Sequence, residues 1–158
     1  MSFGEDFFAV QGWTPFPFQI ETWASFRDGG DGLVNAPTGS GKTYSCLVPA
    51  VNYGGKAGGL RVLWIAPIRA LAKEILGSAE RLLEYHDQGW TVQVRTGDTP
   101  SSQKQRQDRR LPEVLITTPE SLHVLLAKKG AAKRFGGLNA VVVDEWHDLL
   151  GSKRGVQI

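Results

Sequence analysis

Short runs of β-branched and apolar residues alternate along this chain with longer segments whose apolar positions recur at helical spacing. Val62-Leu63-Trp64-Ile65-Ala66 is apolar throughout, the pattern of a strand covered on both faces. Ile68, Leu71, Ala72, Ile75, Ala79, Leu82 and Leu83 then fall on one face of a 3.6-residue period and predict a helix. Gly77 lies inside that helix at a cost of about 1 kcal/mol relative to alanine. Thr91 to Arg95 and Val114 to Thr117 read as further strands. Leu122, Leu125 and Leu126 share a helical face after Pro119, which suits a first turn. Ala140-Val141-Val142-Val143 reads as a last, buried strand that runs into charged residues. Nearer the start, Leu33-Val34-Asn35 reads as a strand leading through a glycine loop into a helical segment from Gly41 to about Val51. This alternation predicts an α/β fold, a parallel β-sheet flanked by helices on both faces. In such sheets ligands bind beyond the carboxyl ends of the strands.

Two motifs sit at such ends. Residues 36–43 read APTGSGKT. Glycines at 39 and 41 allow a tight turn, so that successive N–H groups from Thr38, Gly39, Ser40 and Gly41 can cradle phosphate oxygens beside a helix N-terminus. Lys42 would bring a cation to the β- and γ-phosphates, and Thr43 a hydroxyl to Mg²⁺. The strict phosphate-loop pattern has glycine where this chain has Ala36, and the competing reading is a plain glycine-rich turn. The second motif is Asp144-Glu145-Trp146-His147, which directly follows the last strand. One carboxylate can hold the metal and the next can orient the attacking water, and Asp144 and Glu145 suit those roles. Its competing reading is a helix N-cap at Asp144 or Asp148.

Composition changes this picture little. A chain of 158 residues fits one domain, and 41% apolar with 22% charged residues is ordinary for a folded one. No apolar stretch approaches the roughly 20 residues that span a bilayer, and Glu5 and Asp6 stand where a signal peptide would be basic. A soluble cytoplasmic protein without a membrane partner is expected. The lone Cys46 forms no internal disulfide and reads as a buried small hydrophobe. Histidines at 86, 123 and 147 match no zinc spacing, so a metal here would be a hard ion on oxygen ligands. Charge is uneven: 103–110 (QKQRQDRR) and 128–134 (KKGAAKR) together carry +7 in a chain of net +2. Each run reads either as a solvated face or as a polyanion contact.

Taken together, the motifs resemble those of superfamily-2 DExH-box helicases. APTGSGKT and DEWH look like motifs I and II. Pro67-Ile68-Arg69-Ala70-Leu71 looks like motif Ia, Thr96-Gly97-Asp98 follows, and Thr117-Thr118-Pro119-Glu120-Ser121-Leu122 looks like motif Ib, all in the family's order. The ending VVVDEWHDLLGSKRGVQ looks most like the large helicase-related (Lhr-like) branch, which includes a ligase-associated group. The resemblance extends from about Gly12 to Ile158 and implies the first RecA-like, P-loop NTPase domain of an ATP-dependent helicase or translocase, with ATP and Mg²⁺ as cofactors.

The same resemblance implies roles for single residues. Lys42 and Thr43 bind phosphates and metal, Asp144 completes the metal site, Glu145 acts on the hydrolytic water, and His147 couples the nucleotide site to the nucleic-acid site. Pro67, Arg69, Thr96, Gly97, Thr118 and Pro119 line the track for a sugar-phosphate backbone, which carries little sequence information. Arg69 also reads as a solvent residue at a helix start. Gln19, within Gly12-Trp13-Thr14-Pro15-Phe16-Pro17-Phe18-Gln19, resembles an adenine-reading glutamine, although Phe16 stands where the family pattern has a small hydroxyl residue. Trp13 reads as a base-stacking ring or a core residue, and Trp146 as packing or a residue particular to the branch. With motifs on both sides, 103–110 favours the polyanion reading, while 128–134 favours the solvated one.

Such motors hydrolyse ATP between two RecA-like domains, and no motif of the second appears here. The expectation is a first motor domain over 1–158, truncated at its C-terminal end and hydrolysing ATP negligibly alone. Its partners would be single-stranded or partly duplex nucleic acid, DNA favoured over RNA, and the absent second domain. Family similarity implies DNA repair and 3′-to-5′ movement. The alternative is a non-catalytic nucleotide- or nucleic-acid-binding remnant completed by a partner subunit.

Overall fold

A computed structural model describes residues 1–150. In chain order it contains α1 (Phe3–Val10), α2 (Pro17–Arg27), α3 (Lys42–Asn52), β1 (Val62–Ile65), α4 (Arg69–His86), β2 (Val92–Arg95), α5 (Ser101–Arg109), β3 (Val114–Thr117), α6 (Pro119–Leu126), α7 (Ala131–Phe135) and β4 (Ala140–Val143), then a single 3-10 turn at Trp146–Asp148. Residues 151–157 of the Lhr-like ending lie outside the described residues.

The four strands are parallel in the order β2-β3-β1-β4. Register aligns Arg95, Thr117, Ile65 and Val143 in one row at the carboxyl ends. The residues that follow, Thr96, Thr118, Ala66 and Asp144, therefore open four loops along one edge of the domain. Because side chains alternate across a pleated strand, β1, β3 and β4 feed two cores. Val62, Trp64, Val114, Ile116 and Ala140 join α1, α3 and α4 in the larger core. Leu63, Ile65 and Leu115 join Leu122 and Leu125 of α6, with Phe135 and Val143 packed against them, on the other face. The expected two-sided α/β architecture is present.

α4 runs 18 residues without a break at Gly77 and buries Ala72, Ile75, Ala79, Leu82 and Leu83, the face that the spacing predicts. Two helices precede the phosphate loop. α1 begins with a capping box in which Ser2 and Glu5 satisfy each other's backbone N–H groups, and it buries Phe7 and Phe8. α2 buries Trp23, whose Nε1–H donates to Tyr44 O at 3.1 Å and fixes α2 on α3.

Two expectations fail. Leu33-Val34-Asn35 forms no strand, and Leu33 is 66% exposed. A strand exists only in a ladder, and among the described residues β4 ends the sheet with β1 as its sole partner. For the same reason β4 is half-covered rather than buried, with Val141 54% exposed.

Candidate functional site

At the phosphate loop, Gly39 and Gly41 hold φ of 80° and 84°, the left-handed region that L side chains avoid. Gly41 is the N-cap of α3, so the free N–H groups of that helix's first turn open toward the loop. Ser40 Oγ donates to Pro37 O at 2.6 Å and Lys42 Nζ to Ala36 O at 2.7 Å, which folds the loop onto itself. Thr38 is exposed and Thr43 half-buried, both with nothing of the core over them.

Gln19 stands under this loop. It is 1% exposed, its Oε1 accepts from Phe16 N–H at 2.8 Å, and its Nε2 donates to Gly41 O at 2.9 Å. The first bond satisfies the N-cap N–H of α2, one half of a capping box since the Phe16 ring accepts nothing, and the second sets the height of the loop over 22 residues of sequence. Each of those atoms keeps a second hydrogen-bonding position, so pairing with a base edge, as expected of Gln19, requires the buried amide to be uncovered and not those bonds to break. Trp13 is 40% exposed and packs edge-on to Phe7 and Phe8, with the Arg81 guanidinium 5.7 Å from its ring centre. It is the outer member of an aromatic cluster.

Asp144 leaves the end of β4 and its N–H still donates to Ile65 O at 2.9 Å. Its side chain accepts from Trp64 Nε1–H at 3.2 Å, so it does not cap a helix. Burial pushes the Asp144 carboxyl up; the Trp64 bond and the Lys42 charge pull it down, and the Glu145 charge adds to the rise. The Lys42 charge is thus felt at Asp144, although 102 residues separate them. Glu145 holds φ 45° and ψ 44°, a conformation costly for a non-glycine residue and concentrated at functional positions. His147 Nε2 lies 3.3 Å from Glu145 Oε2 and 3.5 Å from Asp148 Oδ1. Trp146 is 43% exposed, so its expected packing role fails: the 3-10 turn directs it outward. Cys46 is half-buried on α3, and burial raises its thiol.

On the other side of β1 a groove of about 670 Å³ opens at the same edge of the sheet. Pro67, Ile68 and Arg69 from the loop after β1 form one wall, and Thr118, Glu120, Ser121 and Val124 from the start of α6 form another. Arg95, Gly97 and Lys104 supply the third. Four of the six expected track residues, Pro67, Arg69, Gly97 and Thr118, are thus brought together from three separate loops. Thr96 and Pro119 are not. Thr96 is 4% exposed, with its hydroxyl accepting from Asp98 N–H, and Pro119 is buried in the first turn of α6.

The cations of the groove are held. Arg69 pairs with Asp98, Lys104 Nζ donates to Gly97 O at 3.1 Å, and Arg95, 3% exposed, donates to Asp108 at 2.9 Å. Arg69 lies so close over Gly97 that any Cβ there would come within 2.5 Å of its guanidinium. Arg95 and Trp64 were read only as strand residues, while Lys104 and Ser121 entered only within the 103–110 run and the 117–122 motif. A tryptophan amid aliphatic strand residues was the available signal for Trp64, since a buried indole N–H needs an acceptor.

No group of three or more His, Cys, Asp or Glu side chains converges on a metal-sized space among the described residues. The oxygen donors that the two motifs offer are the Asp144 carboxylate and the Thr43 hydroxyl. That sparse, hard set fits Mg²⁺, which binds through one or two carboxylates plus phosphate oxygens and water. No helix among them is long and apolar enough to cross a membrane.

The DEAD/DEAH box helicase family model matches residues 16–158. The Lhr helicase/probable uracil glycosylase of Mycolicibacterium smegmatis is 35% identical over 91% of this chain, which spans 10% of that protein. The ATP-dependent helicase Lhr-Core protein 2 of Thermococcus barophilus is 38% identical over 80% of the chain and is itself covered to 17%. The chain thus spans less than a fifth of these curated relatives. Among solved structures, the Mycobacterium smegmatis helicase Lhr bound to ssDNA and AMP-PNP superposes with a TM-score of 0.82 at 34% identity, covering 99% of this chain and 22% of that one. Mss116p bound to ssRNA and AMP-PNP superposes with a TM-score of 0.81 at 22% identity over 99% of this chain and 33% of its own, a likeness of fold.

Proposed function

The chain belongs to the DEAD/DEAH box helicase family, and from that premise we propose that it is the first RecA-like motor domain of an ATP-dependent DNA helicase or translocase of the Lhr-like kind, acting in DNA repair. One observation carries the reading: the phosphate loop with Asp144 on one side of β1, and the groove on the other, open at the same edge of one sheet. The Lhr neighbour at 34% identity, bound to ssDNA and AMP-PNP, supports both ligands.

In this proposal the N–H groups from Thr38 to Thr43 and the Lys42 ammonium hold the phosphates, with Lys42 leaving Ala36 O to do so. Gln19 sets the loop's height. Thr43 and Asp144 hold Mg²⁺, which when bound neutralises charge on the phosphates. Trp64 aims the Asp144 carboxylate, Glu145 positions the attacking water, and His147 links that end of β4 to the strand side. Arg69, Gly97, Thr118 and Pro67 receive a single strand's backbone, with Thr96 and Pro119 shaping the wall behind them.

A second RecA-like domain supplying arginines to the γ-phosphate completes the motor. Such arginines are worth about 10³–10⁵ in rate in related phosphoryl transfer. The 158-residue chain by itself therefore binds Mg·ATP and hydrolyses it negligibly.

Titrating the chain with a fluorescent ATP analogue and Mg²⁺, beside Lys42→Ala and Asp144→Ala, tests the site. Saturable binding lost in Lys42→Ala and made insensitive to Mg²⁺ in Asp144→Ala is expected. Equal binding by all three proteins would sink the assignment, and rapid steady-state hydrolysis by this chain would remove the need for a second domain.

A further inference from the structure

Helix α5, SSQKQRQDR, carries no apolar side chain. A helix polar all round has no hydrophobic reason to lie on a domain. It is held instead by polar groups taken out of water. Gln107, 1% exposed, donates from Nε2 to Val94 O at 3.2 Å, while the buried Arg95 donates to Lys104 O at 3.1 Å and to Asp108 at 2.9 Å. Such groups must each be matched merely to break even, so packing does not explain why this sequence is kept against β2.

Asp108 also receives Lys128, which enters from the end of α6. Burial alone would raise the Asp108 carboxyl, but Lys128 and Arg95 outweigh it and hold it below the usual carboxylate range. That double pairing joins two basic runs 20 residues apart in the chain. Arg106 and Arg109 on α5, and Lys129 and Lys133 beyond α6, are exposed. Among the described residues none of these four has a carboxylate partner. The surface is continuous with the groove, because Lys104 lines the groove and belongs to α5. From Lys104 to Arg109 the helix runs about 8 Å further along the domain.

We propose that the surface formed by α5 and residues 128–134 holds the phosphates of a single strand where it leaves the groove. The proposal rests on the reading that the groove takes a single strand. Its chemistry fits a polyanion: four free cations, glutamines at 103 and 105, and no apolar side chain on α5 of the kind that centres a protein–protein interface.

The test is fluorescence anisotropy of the 158-residue chain with labelled oligo-dT of roughly 6 and roughly 20 nucleotides, bracketing ordinary single-strand site sizes. Wild type is compared with Arg106→Gln/Arg109→Gln/Lys129→Gln over a range of salt. Arg110 is left in place because it leans toward Glu113. On the longer oligonucleotide the slope of log Kd against log salt should become shallower by about 2, from roughly 0.7 per lost phosphate contact. On the shorter one it should not change. Circular dichroism and thermal melting should match wild type, since all three side chains are exposed. An unchanged slope on the longer strand overturns the proposal. So does an equal loss at both lengths, which would place these cations in the groove, or a loss seen only with blunt duplex. If wild type binds the longer strand alone and the variant loses it, the surface stands and the groove reading falls. Binding of neither length removes both.

Discussion

Replacing Glu113 by alanine should unfold the amino end of the sheet's support without touching the candidate site. Glu113 is 1% exposed, and its carboxylate accepts from Gly58 N–H at 3.0 Å and from both the N–H and the hydroxyl of Thr91 at 2.8 Å. It thereby ties the loop before β1 and the start of β2 to the start of β3. Burial alone would raise its carboxyl, yet the Thr91 and Gly58 bonds outweigh burial and hold it below the ordinary 4.5. Alanine leaves three donors without their acceptor, at about 1–3 kcal/mol for each that stays dry. Gly58 and Thr91 are themselves exposed, so water rehydrates part of the loss and the low end applies, about 3 kcal/mol in all. Arg110, 3.9 Å away on a side chain 77% exposed, adds little. Glu113→Gln keeps the shape but turns one acceptor into a donor facing donors, and should lose about half as much.

Urea unfolding followed by tryptophan fluorescence measures this, since Trp64 and Trp90 are buried. For a slope near 2 kcal/mol/M the midpoint should fall by about 1.5 M. The pH dependence has a fixed sign. Because the folded value is depressed, the contribution of Glu113 is complete above the unfolded value near 4.5 and is lost as pH falls below it through the folded value. Wild type and variant should therefore converge in stability in acid. A difference at neutral pH below about 0.5 kcal/mol, the size of an ordinary surface change, would refute the accounting. Equal weakening of nucleotide binding in the folded variant would refute the separation of the two ends.

Trp64→Phe removes the donor to Asp144 and keeps a ring in the core, so nucleotide affinity with Mg²⁺ should drop about fivefold, near 1 kcal/mol, and affinity in EDTA should not move. Equal losses in both conditions would mean that the indole supports only packing. Gly97→Ala places a Cβ 2.5 Å from the Arg69 guanidinium, whose flexible end can swing away. Thermal stability should hold within about 0.5 kcal/mol while single-strand affinity falls, and unchanged anisotropy would detach Arg69 from the groove's function. Gly4→Ala brings a Cβ within 2.6–2.8 Å of the Trp23 ring, whose Nε1–H is fixed on Tyr44 O. It should destabilise by about 1–3 kcal/mol in thermal melts, and an unaltered melt would mean that α1 does not pack there in solution.

Strands whose runs are β-branched and bounded by turns were legible almost to the residue, as β3 at Val114–Thr117 and β4 at Ala140–Val143 show. α4 was equally plain because its buried face repeats from Ala72 to Leu83, about three turns. Elements without such a pattern were not. α5 has no apolar period to read, and α1 buries adjacent phenylalanines and a glycine instead of a spaced aliphatic stripe. Leu33-Val34-Asn35 has the composition of a strand, but a ladder depends on distant partners that local composition does not report. The exposure of Val141 fails for the same reason, since four apolar residues look alike at the centre of a sheet and at its edge. Within the site, motif order located the loops, but side-chain direction decided their use. Thr96 and Thr118 follow aligned strand ends and are both almost wholly covered, yet only the second lines the groove.

β1 explains how two sites can share one edge of the sheet. Its Trp64 indole holds Asp144 on the β4 side, and three residues later Pro67 begins the groove wall. The strand end is bonded in both directions: Ile65 O accepts from Asp144 N–H at 2.9 Å, and Ala66 N–H donates to Thr117 O at 2.9 Å. A strand bonded on both sides and buried on both faces cannot shift alone without breaking these bonds. Relative movement between the sites is therefore confined to what lies beyond the strand ends, in the phosphate loop, the Glu145–His147 turn and the Arg69–Asp98 contact across the groove. These segments share a physical character. Lys42 is bound to a loop carbonyl, Glu145 sits in a left-handed conformation, and the Arg69–Asp98 pair is largely exposed. The Lys42 and Arg69 contacts are ones that a phosphate group could replace at small cost, while β1 keeps the two groups of loops at a fixed separation.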